Sequence, residues 1–178
     1  LLAMVEVADY SGASLISAVS SKAAKQGVRP GMTVAQGRLR EAELRVIQRS
    51  ERAEAETRKV LMRILAGFSP VFEVGEGDEL GWSYLDVRGL ERLFGGYDSL
   101  RKGMLEAMEG ERLYALCSVS HTRVLARALT LGGGGLFESL EEAQQALVRM
   151  PLDVLEPSHA LIAIWQRFGV ETIEDFLA

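Results

Sequence analysis

The residues best equipped for chemistry cluster where an apolar run gives way to a helical pattern, in Ser120-His121-Thr122-Arg123 with Arg127 one turn further on. A helix start presents free backbone amides, and two guanidinium groups on one helical face add positive charge, so this segment can contact a nucleic-acid phosphate. The alternative is an ordinary Ser N-cap followed by solvated arginines. His121 reads as a surface residue rather than a base. The single cysteine, Cys117, lies in the apolar run Leu113 to Val119 and reads as a small buried hydrophobe. With one cysteine and only His121 and His159 beside it, the chain has neither a disulfide framework nor a zinc-ligand cluster.

The elements that position these groups follow from periodicity and caps. Ala3 to Val7 reads as a strand without a polar lead-in, which suggests that the sequence starts inside a domain. Leu15 to Val19 is a second strand, followed by a helix from Ser20 to Gln26 that Gly27 ends. Arg29-Pro30-Gly31 makes a turn, and Thr33 caps a short helix to about Arg40. Leu44 to Gln48 is a strand. Ser50 caps a long helix to about Ala66, with Val60, Leu61, Ile64, Leu65 and Phe68 on one face and a Glu54–Arg58 pair on the wet side.

Strands at Val71 to Val74 and Leu80 to Val87 come next, then a helix from Ser99 to Met108 and a strand from Leu113 to Val119. That strand leads into a helix with Val124, Leu125, Ala128 and Leu129 on one face. This order predicts an α+β layer with helices on one side of a mostly antiparallel sheet. Gly132 to Gly135 reads as a flexible linker, with a phosphate-cradling loop as the alternative, although no Lys-Ser or Lys-Thr follows. Three helical patterns close the chain at about 139–148, 158–168 and 172–178, and Leu161, Ile164, Trp165 and Phe168 form a stripe expected in the core.

The 178 residues are 48% apolar and carry a formal net charge of −5. That suits a soluble domain with a sizeable core and argues against a generally basic surface. No stretch reaches the roughly 18 apolar residues of a membrane span, and the opening run lacks the basic flank of a signal peptide, so a cytoplasmic location is expected. Charge is uneven: residues 1–131 hold 18 basic and 17 acidic side chains, whereas 132–178 hold 2 and 8. Any phosphate contact therefore belongs to the first part.

Several runs together resemble a known family. Gly27-Val28-Arg29-Pro30-Gly31-Met32-Thr33-Val34-Ala35 is similar to the fingers segment of Y-family DNA polymerases. Phe68-Ser69-Pro70-Val71, Tyr84-Leu85-Asp86-Val87-Arg88-Gly89-Leu90 and Leu93-Phe94-Gly95-Gly96 resemble the palm, the last being typical of the ImuB branch. Met150-Pro151-Leu152 through Ile173 is similar to the start of the thumb, whose helix-hairpin-helix touches the DNA backbone. The resemblance implies fingers at 8–46, a ferredoxin-like palm at 1–7 and 47–131, and the start of a helical thumb at 132–178.

Active members of the family transfer a nucleotide through two metal ions held by carboxylates. Aligned on Tyr84-Leu85-Asp86, the positions of the Asp-Glu pair fall on Gly81 and Trp82, neither of which binds a metal. The rival alignment uses Asp78 and Glu79, but a three-residue shift along a strand reverses the faces of its side chains. The Tyr and Arg that hold the triphosphate correspond to Ser21 and Ala24. The first metal-binding Asp of the family lies upstream of Leu1. Ser120, Thr122, Arg123 and Arg127 correspond to the segment that reaches the phosphates.

The resemblance thus implies a protein without catalytic activity, metal or cofactor, in effect a pseudo-enzyme of translesion synthesis and SOS mutagenesis. It would sit at the nucleoid and bridge damaged or primer-template DNA, the sliding clamp and an error-prone replicative-type polymerase, with no membrane role and with partner contacts mostly outside this chain. The alternative is an active translesion polymerase with a misaligned metal site. A third is an unrelated α+β domain.

Overall fold

The structure is a computed structural model that describes residues 1–6 and 9–177, with the side chains of all but Ser21, Asp78, His159, Ala160 and Ala163. It divides into two compact units, Leu1–Thr57 and Arg58–Ala178, the division falling inside one long helix.

In the first unit β1 (Leu2–Val5) is central, antiparallel to β2 (Ile16–Val19) and parallel to β3 (Arg45–Gln48). The expected strand at Ala3 to Val7 is therefore present in part, and Val7 lies outside the described residues. The helices α1 (Ser21–Lys25) and α2 (Val34–Arg40) carry the caps expected of them. Thr33 forms a full capping box with Gln36, its Oγ1 accepting from the Gln36 N–H at 3.1 Å while its own N–H donates to Gln36 Oε1 at 2.9 Å. Ala3, Val5, Ile16, Ala23, Val28, Val34 and Leu44 make the core of this unit. Gly37 permits the closeness of that packing, because a Cβ there would stand 2.9 Å from both Ile16 Cδ1 and Leu44 Cδ2.

The long helix α3 (Glu51–Ala66) starts where Ser50 Oγ accepts from the Ala53 N–H. In the second unit its stripe is buried as expected: Ile64 and Leu65 form a core with Met104 and Met108, and Val60, Leu61 and Phe68 pack around it. The expected Glu54–Arg58 partnership gives way to other contacts. Glu54 accepts two bonds from Arg49, and Arg58 pairs with Glu76 at 2.7 Å and reaches the Val74 and Gly75 carbonyls.

The second unit continues with β4 (Phe72–Val74), a 3-10 turn at Gly77–Glu79 and β5 (Ser83–Leu85), the two strands forming an antiparallel hairpin. Then come α4 (Glu91–Phe94), α5 (Tyr97–Gly110), β6 (Ser118–Val119), α6 (Arg123–Leu131) and β7 (Gly135–Leu136). A third group follows, made of α7 (Leu140–Val148), a 3-10 turn at Leu152–Leu155, α8 (His159–Arg167) and α9 (Ile173–Leu177). Ala178 lies outside the described residues.

Three expectations change here. The described strands form three small sheets rather than one mostly antiparallel layer: β2-β1-β3 is mixed, β4-β5 antiparallel and β6-β7 parallel. The strand expected from Leu113 pairs only at Ser118–Val119: Arg112 turns through a left-handed φ of 60°, and the Leu113 N–H donates to Met108 O. The glycine run is a packed turn instead of a linker. Gly135 and Phe137 donate to the Cys117 and Val119 carbonyls at 3.0 Å. A Cβ on Gly134, at φ +83°, would lie 2.7 Å from the Cys117 carbonyl oxygen.

The stripe expected in the core is corrected as well. Trp165 packs with Ala128, Leu152, Val154 and Ile173, but Leu161, Ile164 and Phe168 are exposed. A helix with one large aromatic anchor needs only a narrow buried face, and these neighbours fall beside it. Among the described residues no helix is long and apolar enough to cross a membrane.

Candidate nucleic-acid interface

Side chains alternate across the β4–β5 hairpin, so the register of Phe72 with Leu85, Glu73 with Tyr84 and Val74 with Ser83 sorts them onto two faces. Phe72, Val74 and Leu85 pack on the Ile64–Leu65–Met104–Met108 core. Glu73 and Tyr84 stand opposite each other on the other face, and Trp82, two residues before Tyr84, stacks beside its ring at 6.3 Å between centroids.

The start of α6 covers this face. Thr122, not Ser120, is the N-cap, its Oγ1 accepting from the Leu125 N–H at 3.2 Å. Arg123 and Arg127 are one helical turn apart and point the same way. The Arg123 guanidinium lies over the Tyr84 ring at 3.7 Å and donates Nη1 and Nη2 to the two Glu73 carboxylate oxygens at 2.8 and 3.1 Å. The Arg127 guanidinium lies over the Trp82 ring at 4.3 Å. It donates to both Glu156 oxygens at 2.5 and 3.0 Å, to Glu79 Oε2 at 2.6 Å and to the Tyr84 hydroxyl at 3.1 Å. Both arginines are charged at any working pH, and hydrogen bonding raises their pKa values further, from Glu73 foremost at Arg123 and from Glu156 foremost at Arg127. Cation and ring thus alternate over a base of ion pairs.

The remaining candidate residues are placed as follows. The Ser120 hydroxyl oxygen is buried and has no hydrogen-bond partner among the described residues, and the same holds for Ser118 Oγ two positions earlier. His121 is exposed, in keeping with a surface role. Cys117 is partly buried beside the Met104–Met108 cluster, and desolvation raises its thiol pKa. Gly81 lies in the turn before β5 at φ +93°, and Trp82 belongs to the aromatic stack just described. Ser21 and Ala24 are on α1 in the first unit, the Ser21 side chain being outside the described residues.

Sequence reasoning missed Ser69 as an organising residue. It is only 2% exposed, and its hydroxyl stands 2.6 Å from the Asp86 carbonyl and 3.0 Å from that of Val71 while accepting the Val71 N–H at 3.1 Å. One hydroxyl hydrogen serves one acceptor at a time, and the shorter contact is to Asp86. Ser69 therefore ties the end of α3 to the far end of β5. The signal was present in the Phe68-Ser69-Pro70 run, as it was in Phe94, whose ring stacks on Phe68 at 5.5 Å.

A pair of divalent metals does not fit the acidic residues of this face as they stand. Glu73 is held by Arg123, Glu79 by Arg127, and Asp86 by Arg88, whose guanidinium holds the Asp86 carboxyl down at about 2. Among the described residues no group of three or more His, Cys, Asp or Glu side chains is placed to hold an ion.

The sequence profile of the impB/mucB/samB family matches residues 3–130. No curated protein matches the chain. Among solved structures, DinB from Sulfolobus solfataricus is similar with a TM-score of 0.76 at 17% identity, covering 99% of this chain and 52% of that one. An insertion ternary complex of Dbh DNA polymerase gives 0.72 at 18% identity, with 99% and 52% covered. A DinB family error prone DNA polymerase from Sulfolobus solfataricus gives 0.69 at 19%, with 98% and 51% covered. The chain spans about half the length of these structures, and at such identities the likeness is one of fold.

These matches overturn the expectation of a pseudo-enzyme, since the structures that share the fold are DNA polymerases. The geometric argument against the rival alignment fails too. Strand alternation counts against Asp78 and Glu79 only if they lie in a strand, but Gly77–Glu79 is a 3-10 turn, where alternation does not operate, and the Glu79 carboxylate meets the Tyr84 hydroxyl at 3.4 Å. With its profile match across residues 3–130 and its α+β fold of the Y-family polymerase kind, the chain belongs to the impB/mucB/samB family.

Proposed function

We propose that this chain is the fingers-and-palm portion of a Y-family-type protein that engages primer-template DNA in damage-associated, translesion synthesis. The observation that carries the reading is the likeness, over 99% of the chain, to a polymerase solved as an insertion ternary complex. The chemistry of the α6 start agrees with it. Arg123 and Arg127 supply two planar donor forks on one face, and the helix start supplies amides. Residues 8–46 serve as fingers, 1–7 with 47–131 as palm and 132–178 as the start of a thumb.

The Leu93-Phe94-Gly95-Gly96 turn supports placement in the ImuB branch, and with it a nucleoid-associated site of action in the cytoplasm. Contacts to the sliding clamp and to an error-prone replicative-type polymerase belong to this reading, through parts of the protein outside this chain.

The test is binding of labelled primer-template by the full-length protein across a salt series. Arg123→Gln with Arg127→Gln should weaken binding and flatten the dependence of log K on log salt by about two phosphate contacts. Unchanged affinity and slope in that double variant would remove this face from the DNA interface.

A further inference from the structure

We propose that Glu73 and Glu156 form an acidic latch over Arg123 and Arg127, so that DNA engages this face by displacing carboxylates rather than by filling open cation sites. The inference rests on the DNA reading above and adds a control to it.

Both arginines are fully engaged in the geometry that arginine uses for phosphate. Arg123 presents Nη1 and Nη2 to the two Glu73 oxygens at 2.8 and 3.1 Å, and Arg127 presents Nε and Nη2 to the two Glu156 oxygens at 2.5 and 3.0 Å. A carboxylate and a phosphate compete for the same planar fork, so one must leave for the other to bind. Glu79 adds a third negative charge, 2.6 Å from Arg127 and 3.8 Å from Arg123. The face is therefore net acidic while latched, in a chain whose arginines would otherwise mark it as basic.

Three features make the latch releasable. First, the carboxylates are open to solvent, Glu73 being 57% and Glu156 46% exposed, over an Arg123 at 48% and a more covered Arg127 at 21%. Ion pairs this wet contribute little net stability and are screened by salt, whereas a polyanion gains by releasing its own counterions. Second, the guanidinium groups keep their places without the carboxylates, because Tyr84 and Trp82 support them from below at 3.7 and 4.3 Å. Third, Glu156 holds a left-handed backbone at φ 52° and ψ 43°, a conformation that a residue with a side chain rarely adopts. That corner is held by the turn itself, through the Glu156 N–H bond to Asp153 O, so the side chain can leave Arg127 without refolding the backbone.

The two latch residues come from different elements, Glu73 from β4 and Glu156 from the end of the 3-10 turn at Leu152–Leu155. Opening thus frees both the hairpin edge and that turn from α6.

The experiment measures binding of a labelled primer-template duplex by the full-length protein from low to physiological salt. Glu73→Gln and Glu156→Gln are compared with Glu109→Gln, which removes the same charge from the exposed far end of α5. Each latch variant should bind several-fold more tightly with a salt slope steeper by about one, and Glu109→Gln should change neither. The gain from Glu73→Gln should vanish in an Arg123→Gln background, which generic electrostatics would not produce. Glu156→Gly, which also relieves the strained backbone, should match Glu156→Gln and guards against a folding defect in either. If the latch variants bind like Glu109→Gln, the latch is refuted while the DNA reading stands. If neither the wild type nor any latch variant binds primer-template at low salt, the DNA reading falls and the latch with it.

Discussion

Two arginines and two aromatic rings decide what the hairpin face can do, and their spacing is legible in the sequence. Arg123 and Arg127 stand one helical turn apart, while Trp82 and Tyr84 stand two residues apart at the start of a strand. Each period alone fixes a shared face. Their carboxylate partners were not legible, because Glu73, Glu79 and Glu156 lie 29 to 50 residues away in sequence. Asp86 gives a pH test at this scale. The Arg88 guanidinium lowers its carboxyl pKa to about 2 from the ordinary value of 3.8. A depressed folded pKa favours the folded state above the unfolded value, and the benefit is lost as pH falls from about 4 through about 2. Urea midpoints of wild type and Asp86→Asn should therefore differ by a constant amount above pH 4 and converge towards pH 2; a gap that widens in acid would contradict the assignment. Ser69 tests the buried link. Its change to alanine leaves the Asp86 carbonyl without the hydroxyl donor and should cost about 1–3 kcal/mol in chemical denaturation.

Among the elements, the helices were the most readable, because caps and apolar spacing agree. Thr33, Ser50 and the Val60 to Phe68 stripe all stand where their chemistry puts them. The short strands were less so. A two-residue strand such as β6 carries no alternation long enough to read, and a glycine run looks flexible until the carbonyl it packs against is known. Gly134 makes the point testable. Alanine there meets both the Cys117 carbonyl and a left-handed φ of 83°, so it should destabilise by about 1–3 kcal/mol and speed hydrogen exchange at the Gly135 amide. Wild-type exchange at Gly135 in that variant would mean that the turn is free after all. The core offers a contrast. Leu65 is fully buried, and its change to alanine should cost about 2–5 kcal/mol, whereas Leu93→Ala, at 75% exposure, should stay within about 0.5 kcal/mol.

For the molecule as a whole, the α+β layout and the polymerase-like order of motifs were readable along the chain, while catalytic capacity was not. The rejection of Asp78 and Glu79 as a rival carboxylate pair depended on strand alternation running back to residue 78, and the chain folds a 3-10 turn there instead. The net charge of −5 likewise concealed a candidate phosphate site, because it is read as a sum, whereas recognition depends on which charges share a face. The most direct measurement is the salt dependence of primer-template binding by the full-length protein with and without Arg123→Gln and Arg127→Gln. The double variant should lose affinity and show a slope lower by about two. Binding of equal strength and equal slope in both proteins would contradict a DNA interface on this face.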